Sequence, residues 1–95
     1  MSESQLIASL NAALAFAQDH DASSMEAILE DVREASYEVT SRQSAFLIRM
    51  ACSAVEHVVS AFDVESSSQS AIWAIARAQE AAGPVTTDLT VVSAA

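Results

Sequence analysis

Along most of this chain apolar residues recur three and four positions apart, the spacing that stacks side chains on one face of an α-helix. The clearest case lies at 24–39. There Met25, Ile28, Leu29, Val32, Ser36 and Val39 keep the helical spacing, and Glu26, Glu30, Asp31, Glu34 and Glu38 take the other side. A helix at 3–18 aligns Leu6, Leu10, Ala13, Leu14 and Ala17, with Ile7 and Phe16 at the edges of the stripe. Its back carries no charge: Ala8, Ala12 and Ala15 line it, and Ser4 to Gln18 hold no charged residue. A surface helix ordinarily presents charge to water. That back is therefore either covered, by a second copy of the chain for example, or an exposed face of good helix formers.

A third helix, at 41–62, confines its charges to one stripe of Arg42, Arg49, Glu56 and Asp63 at seven-residue spacing. Phe46, Leu47, Ile48, Met50, Cys52, Val55, Val58, Val59 and Phe62 fill the rest, the pattern of a central helix packed on several sides. The stripe is basic first and acidic later, opposite to the preference of the helix dipole, so its charges need tertiary partners. In an antiparallel symmetric dimer Arg49 meets Glu56 or Asp63 of the other copy, which makes Ala8, Ala12, Arg49, Glu56 and Asp63 the candidate dimer interface. A fourth helix, at 67–82, is expected to bury Ala71, Ile72, Ile75, Ala76 and Ala82, with Trp73 and Arg77 one turn apart at the edge in position for a cation–π contact.

Boundaries come from capping pairs in which a hydroxyl precedes Glu or Gln by three: Ser2 with Gln5, Ser23 with Glu26, Thr40 with Gln43, and Ser66 with Gln69. Gly83-Pro84 is a helix stop. The expectation is an all-α fold, a small bundle of four helices, or three if Thr40 is only a kink, over residues 1–84. A Val- and Thr-rich tail at 85–95 follows, read as a flexible end or as a strand that pairs with a partner.

Ninety-five residues with 52% hydrophobic content specify one folded domain rather than a disordered chain. Much of that content is alanine, which buries little area, so assembly is one way to complete the core. Thirteen acids against four arginines give a formal net charge of -9. A nucleic-acid backbone or an anionic membrane is repelled by such a chain, and a basic protein is attracted. Cys52 is the sole cysteine, which excludes an intrachain disulfide and a thiolate metal cluster and fits a reducing cytoplasm. The first residues lack the pattern of a signal peptide, and no window has the length and hydropathy of a membrane span.

Little catalytic chemistry is legible. Asp19-His20-Asp21 places three ligand-type side chains in one turn, but adjacent donors do not enclose an ion, and no metal or cofactor is expected. Cys52 and His57 are five residues apart, about 140° around a helix, too far to share a proton. No phosphate loop, zinc-binding helix or nucleophile elbow occurs, and an enzyme is not expected. The charge distribution says more. Asp19, Asp21, Glu26, Glu30, Asp31, Glu34 and Glu38 face only Arg33 in the same stretch. Beside Tyr37 they form either a solvated outer face or a ridge on which a basic partner docks.

From Arg49 the chain reads RMACSAVEHVVSAFD, then, after a polar linker, AIWAIARA up to Ala78. This hairpin resembles that of alanine-rich helical immunity proteins of bacterial polymorphic toxin systems, with Ser66 to Ser68 where those have a proline-containing turn. The resemblance implies neutralisation of a toxin by direct binding. Together these features give a leading expectation: a cytoplasmic, non-catalytic inhibitor or immunity-type protein that occludes a basic protein, often one that itself handles nucleic acid, through its acidic face. Inhibitors of host defence complexes belong to the same physical class. The alternative is a structural or adaptor module that self-associates as a homodimer.

Overall fold

The computed structural model describes residues 2–82 and resolves four helices: α1 (Glu3–Gln18), α2 (Ala22–Ser36), α3 (Arg42–Val59) and α4 (Val64–Ala82). Among the described residues no strand occurs, so the chain is a small all-α bundle. Each helix starts where a side chain satisfies an orphan backbone donor. Ser2 and Gln5 form the reciprocal capping box expected for α1. The other three starts differ from the sequence expectation. The caps are Asp21 rather than Ser23, Ser41 rather than Thr40, and Asp63 rather than Ser66, and they accept from the amides of Ser24, Ser44 and Ser66. Each keeps the expected spacing of three between cap oxygen and amide, which reaches the third helical N–H, and differs only in the residue at which the helix begins.

α1 and α3 form the centre. Each touches the three other helices, whereas α2 and α4 lie apart on opposite flanks. Leu6, Leu10, Met25, Leu29, Ile48, Val55 and Val58 are fully or almost fully buried between them. Ala13, Ala17, Ala45, Ala51, Ala71 and Ala78 complete much of the remaining core, which lets the helices approach closely but contributes little area per residue. No helix among the described residues is long and apolar enough to cross a membrane.

The stripes of α1 and α2 match expectation, and the other two helices need correction. α3 stops at Val59, short of Phe62, which lies in the following turn fully exposed. Phe46 and Met50, expected within a helix packed on several sides, are more than half exposed. α3 does pack on three helices, but its fourth side is open. α4 begins at Val64 rather than Ser67 and buries Ala71, Ile75 and Ala78, with Ser68 in the same stripe, while Ile72 and Ala76 point outward. Gln18 donates to the Ser68 hydroxyl at 3.1 Å, which satisfies that buried group and ties the end of α1 to α4. The Gly83-Pro84 stop and the tail at 85–95 lie outside the described residues.

The Asp19-His20-Asp21 turn is a pair of helix caps. The Asp21 amide donates to Phe16 at 2.9 Å and the His20 amide to Ala17 at 3.0 Å, the two bonds of a Schellman closure. That closure requires a left-handed residue, and His20 takes it at φ 60° where glycine is usual. Its Nδ1 lies 3.0 Å from the Val59 carbonyl, an oxygen that only accepts, so Nδ1 carries the proton and covers an end carbonyl of α3. Replacing His20 by Gly or Ala removes this contact equally, but only Gly relieves the left-handed backbone. His20→Gly is therefore expected to exceed His20→Ala in urea-unfolding stability by about 1 kcal/mol.

Candidate functional site

On α2 the core stripe of Met25, Leu29, Val32 and Ser36 fixes the rotation of the helix and turns its acids outward. Glu26, Glu30 and Glu34 form a ladder with one residue per turn, Asp31 lies beside it, and Glu38 follows in the next turn, all exposed. Tyr37 stands 76% exposed at the end of this ridge. Asp19 and Asp21 belong to it only by proximity in sequence: Asp19 is exposed at the end of α1, and Asp21 is partly buried and engaged as the cap of α2.

Arg33, the one cation within this acidic stretch, turns away from the ladder to pair with Glu56 of α3. Arg49 reaches toward α2 as well. Its Nη1 donates to the Ser36 hydroxyl at 3.1 Å, its guanidinium lies 4.9 Å from the Tyr37 ring centre, and Ser36 donates in turn to the Arg33 carbonyl at 2.6 Å. Arg33 and Arg49 thus gather at the C-terminal end of α2, where the helix dipole favours positive charge. This accounts for Arg49 in the reversed charge order of α3, since it serves the dipole of the neighbouring helix. Among the described residues Arg33 with Glu56 is the sole ion pair, so the ladder and Asp31 have no cationic partner there.

Of the residues expected at a dimer interface, Ala8 and Ala12 are exposed on the back of α1. Arg49 and Glu56 face α2 of their own chain, and Asp63 caps α4. A second surface was not visible in the sequence. Phe46, Leu47, Met50 and Ala54 of α3 and Gln69, Ser70, Trp73, Ala74 and Arg77 of α4 line a groove of about 790 Å³. Trp73 is 64% exposed, and Arg77 lies over its ring at 5.1 Å, as the four-residue spacing suggested. From Ile48, Phe46 and Met50 are each about 160° around a helix, so once the fold buries Ile48 they face away from the side that packs.

No protein-family model matches the chain, and no curated protein or solved structure shows significant similarity to it.

Cys52 is buried and His57 exposed, on different sides of α3. Burial, the largest influence, pushes the Cys52 thiol up from its ordinary 9.0 to about 11, against the opposing pull of Arg33 and with a smaller push from Glu56. At neutral pH this sulfur is a neutral thiol without nucleophilic activation. Disulfide reagents are expected to label it only across the urea-unfolding transition. The sign for stability follows: the folded state keeps a proton that the unfolded chain releases, so stability from this group is intact below pH 9.0 and declines as pH rises from there toward 11.

Proposed function

We propose that this protein is a non-catalytic, cytoplasmic inhibitor of the immunity type, which occludes a basic protein by docking the acidic face of α2 against it. The observation that carries this reading is the unneutralised ladder of Glu26, Glu30 and Glu34, from which the nearby Arg33 is diverted to Glu56. Like charges one turn apart destabilise a helix, so the arrangement works against local stability. A chain that keeps it for solubility alone has no need to gather its acids on one ridge.

Glu30 and Glu34 supply long-range attraction, with Glu26, Asp31 and Glu38 extending the field along the helix. On contact, carboxylates accept charge-assisted hydrogen bonds from arginine or lysine, and exposed Tyr37 adds aromatic area at the end of the ridge. A partner that handles nucleic acid suits this surface best, because a row of carboxylates can occupy positions built for phosphates. Toxins neutralised by direct binding and nucleic-acid-handling defence complexes both meet that description. The test is affinity capture from host lysate at low and moderate salt with the wild-type chain and the Glu30→Lys/Glu34→Lys variant in parallel. A basic protein retained by the first and lost by the second is expected; identical captures by both would remove the ridge from recognition.

A further inference from the structure

We infer that Glu56 is a positioning residue for the acidic face: by holding Arg33 against α3 it keeps Glu30 free for a partner. The inference rests on the reading of α2 as a docking surface, and it gives a residue of a second helix the task of keeping that surface charged. Arg33 and Glu56 pair with both side chains well open to water, 36% and 43% exposed. A pair so exposed contributes little to stability, so fastening α2 to α3 does not account for it. Local preference does not account for it either. Glu56 lies in the last turn of α3 (Arg42–Val59), where the helix dipole disfavours a carboxylate.

The surroundings of Arg33 decide where it turns when Glu56 is removed. Side chains three and four residues apart on a helix are neighbours, which gives Arg33 Leu29, Glu30, Ser36 and Tyr37. Leu29 is buried and apolar. Ser36 is buried too, and its hydroxyl already donates to the Arg33 carbonyl and accepts from Arg49. The Tyr37 ring is taken by the Arg49 guanidinium. Glu30 is what remains, exposed and without a cation. Arg33 thus has two carboxylates to choose between, Glu56 across the helix gap and Glu30 along its own helix, and it takes the one that leaves the ladder charged. An Arg33 turned to Glu30 neutralises the middle rung of Glu26, Glu30 and Glu34 and interrupts the row a basic partner would meet.

The test is Glu56→Ala in the full chain, read by nuclear Overhauser contacts of the Arg33 δ-methylene and by affinity for an immobilised arginine peptide at low salt. The contacts are expected to move from residue 56 to Glu30. Affinity should fall about twofold further than in Glu65→Ala, which removes an equal charge from α4, a helix that does not touch α2. Adding Arg33→Gln to Glu56→Ala should return the affinity of the wild-type chain, because the ladder is then free again without its guard. A pair that merely fastens two helices predicts the opposite, a loss that the second substitution does not repair, and that result would overturn the proposal. So would contacts that never reach Glu30, or a Glu56→Ala affinity equal to that of Glu65→Ala. In those cases the acidic-face reading still stands if Glu30→Lys/Glu34→Lys loses the peptide. A lysine variant that binds the peptide like the wild-type chain overturns that reading and this inference together.

Discussion

Replacing Leu10 by Ala is expected to unfold a large share of the chain at room temperature. Leu10 is fully buried at the middle of α1, the helix that touches all three others, so the lost volume opens where no single neighbour can collapse to fill it. A truncation of this kind costs about 2–5 kcal/mol. At the usual stability per residue, a domain this size has about 4–12 kcal/mol in total. The alanine-rich core places this chain toward the lower end, because Ala13, Ala17, Ala45, Ala51, Ala71 and Ala78 are buried yet withdraw little apolar area from water. Urea unfolding followed by circular dichroism measures the loss, with Ala8→Ser as a control on the exposed back of α1, expected within about 0.5 kcal/mol of wild type. A loss below about 1 kcal/mol for Leu10→Ala would mean that the site relaxes freely and that α1 is not the keystone of the packing.

The same contrast explains how much of the bundle was legible in the sequence. The buried face of α2 could be read because its apolar and acidic residues separate completely and the period of Met25, Leu29, Val32 and Ser36 admits one buried face, although the helix runs from Ala22 to Ser36 and not over 24–39. The start of α1 was equally plain, since Ser2 and Gln5 satisfy each other within four residues and need no tertiary partner. α3 was harder for a physical reason. Apolar residues surround most of it, so hydropathy identifies faces that can be buried without deciding which neighbour is available to bury them. Phe46 and Met50 look as suitable for a core as Ile48 and Val55, and only the position of α4 leaves them in a groove.

The boundary between α3 and α4 went wrong because Asp63 continues the seven-residue series of Arg42, Arg49 and Glu56. Periodicity assigned it to α3, yet its carboxylate accepts the Ser66 amide and starts α4. The buried stripe of α4 is Ser68, Ala71, Ile75 and Ala78, with Ile72 outward, a rotation set by where α1 and α3 lie and not by the helix's own start. The need for tertiary charge pairing on α3 was readable from the dipole, but the partners were not. Arg33 with Glu56 and Arg49 with Ser36 join residues brought together by the turn between α2 and α3, and no spacing within one helix encodes them.

Reversing Glu30 and Glu34 to Lys is expected to stabilise the fold while weakening its proposed interaction. The ladder of Glu26, Glu30 and Glu34 sets like charges at every turn, and Glu34 adds a negative charge near the C-terminal end of α2. Glu30→Lys turns the repulsion from Glu26 into attraction, and Glu34→Lys complements the dipole; together these outweigh the remaining repulsion between the two introduced lysines. A gain of about 0.5–1 kcal/mol in urea unfolding should result. Association with a basic partner should slow by about tenfold or more at low salt, and the difference should shrink as salt screens the field. These signs separate recognition from folding: a variant that fails because it is misfolded loses stability and binds poorly at every salt. A variant that gains stability and binds as before would return the ridge to the role of a solvated outer face. Greater stability with slower, salt-sensitive association would instead mean that α2 keeps an unfavourable charge arrangement because a partner uses it.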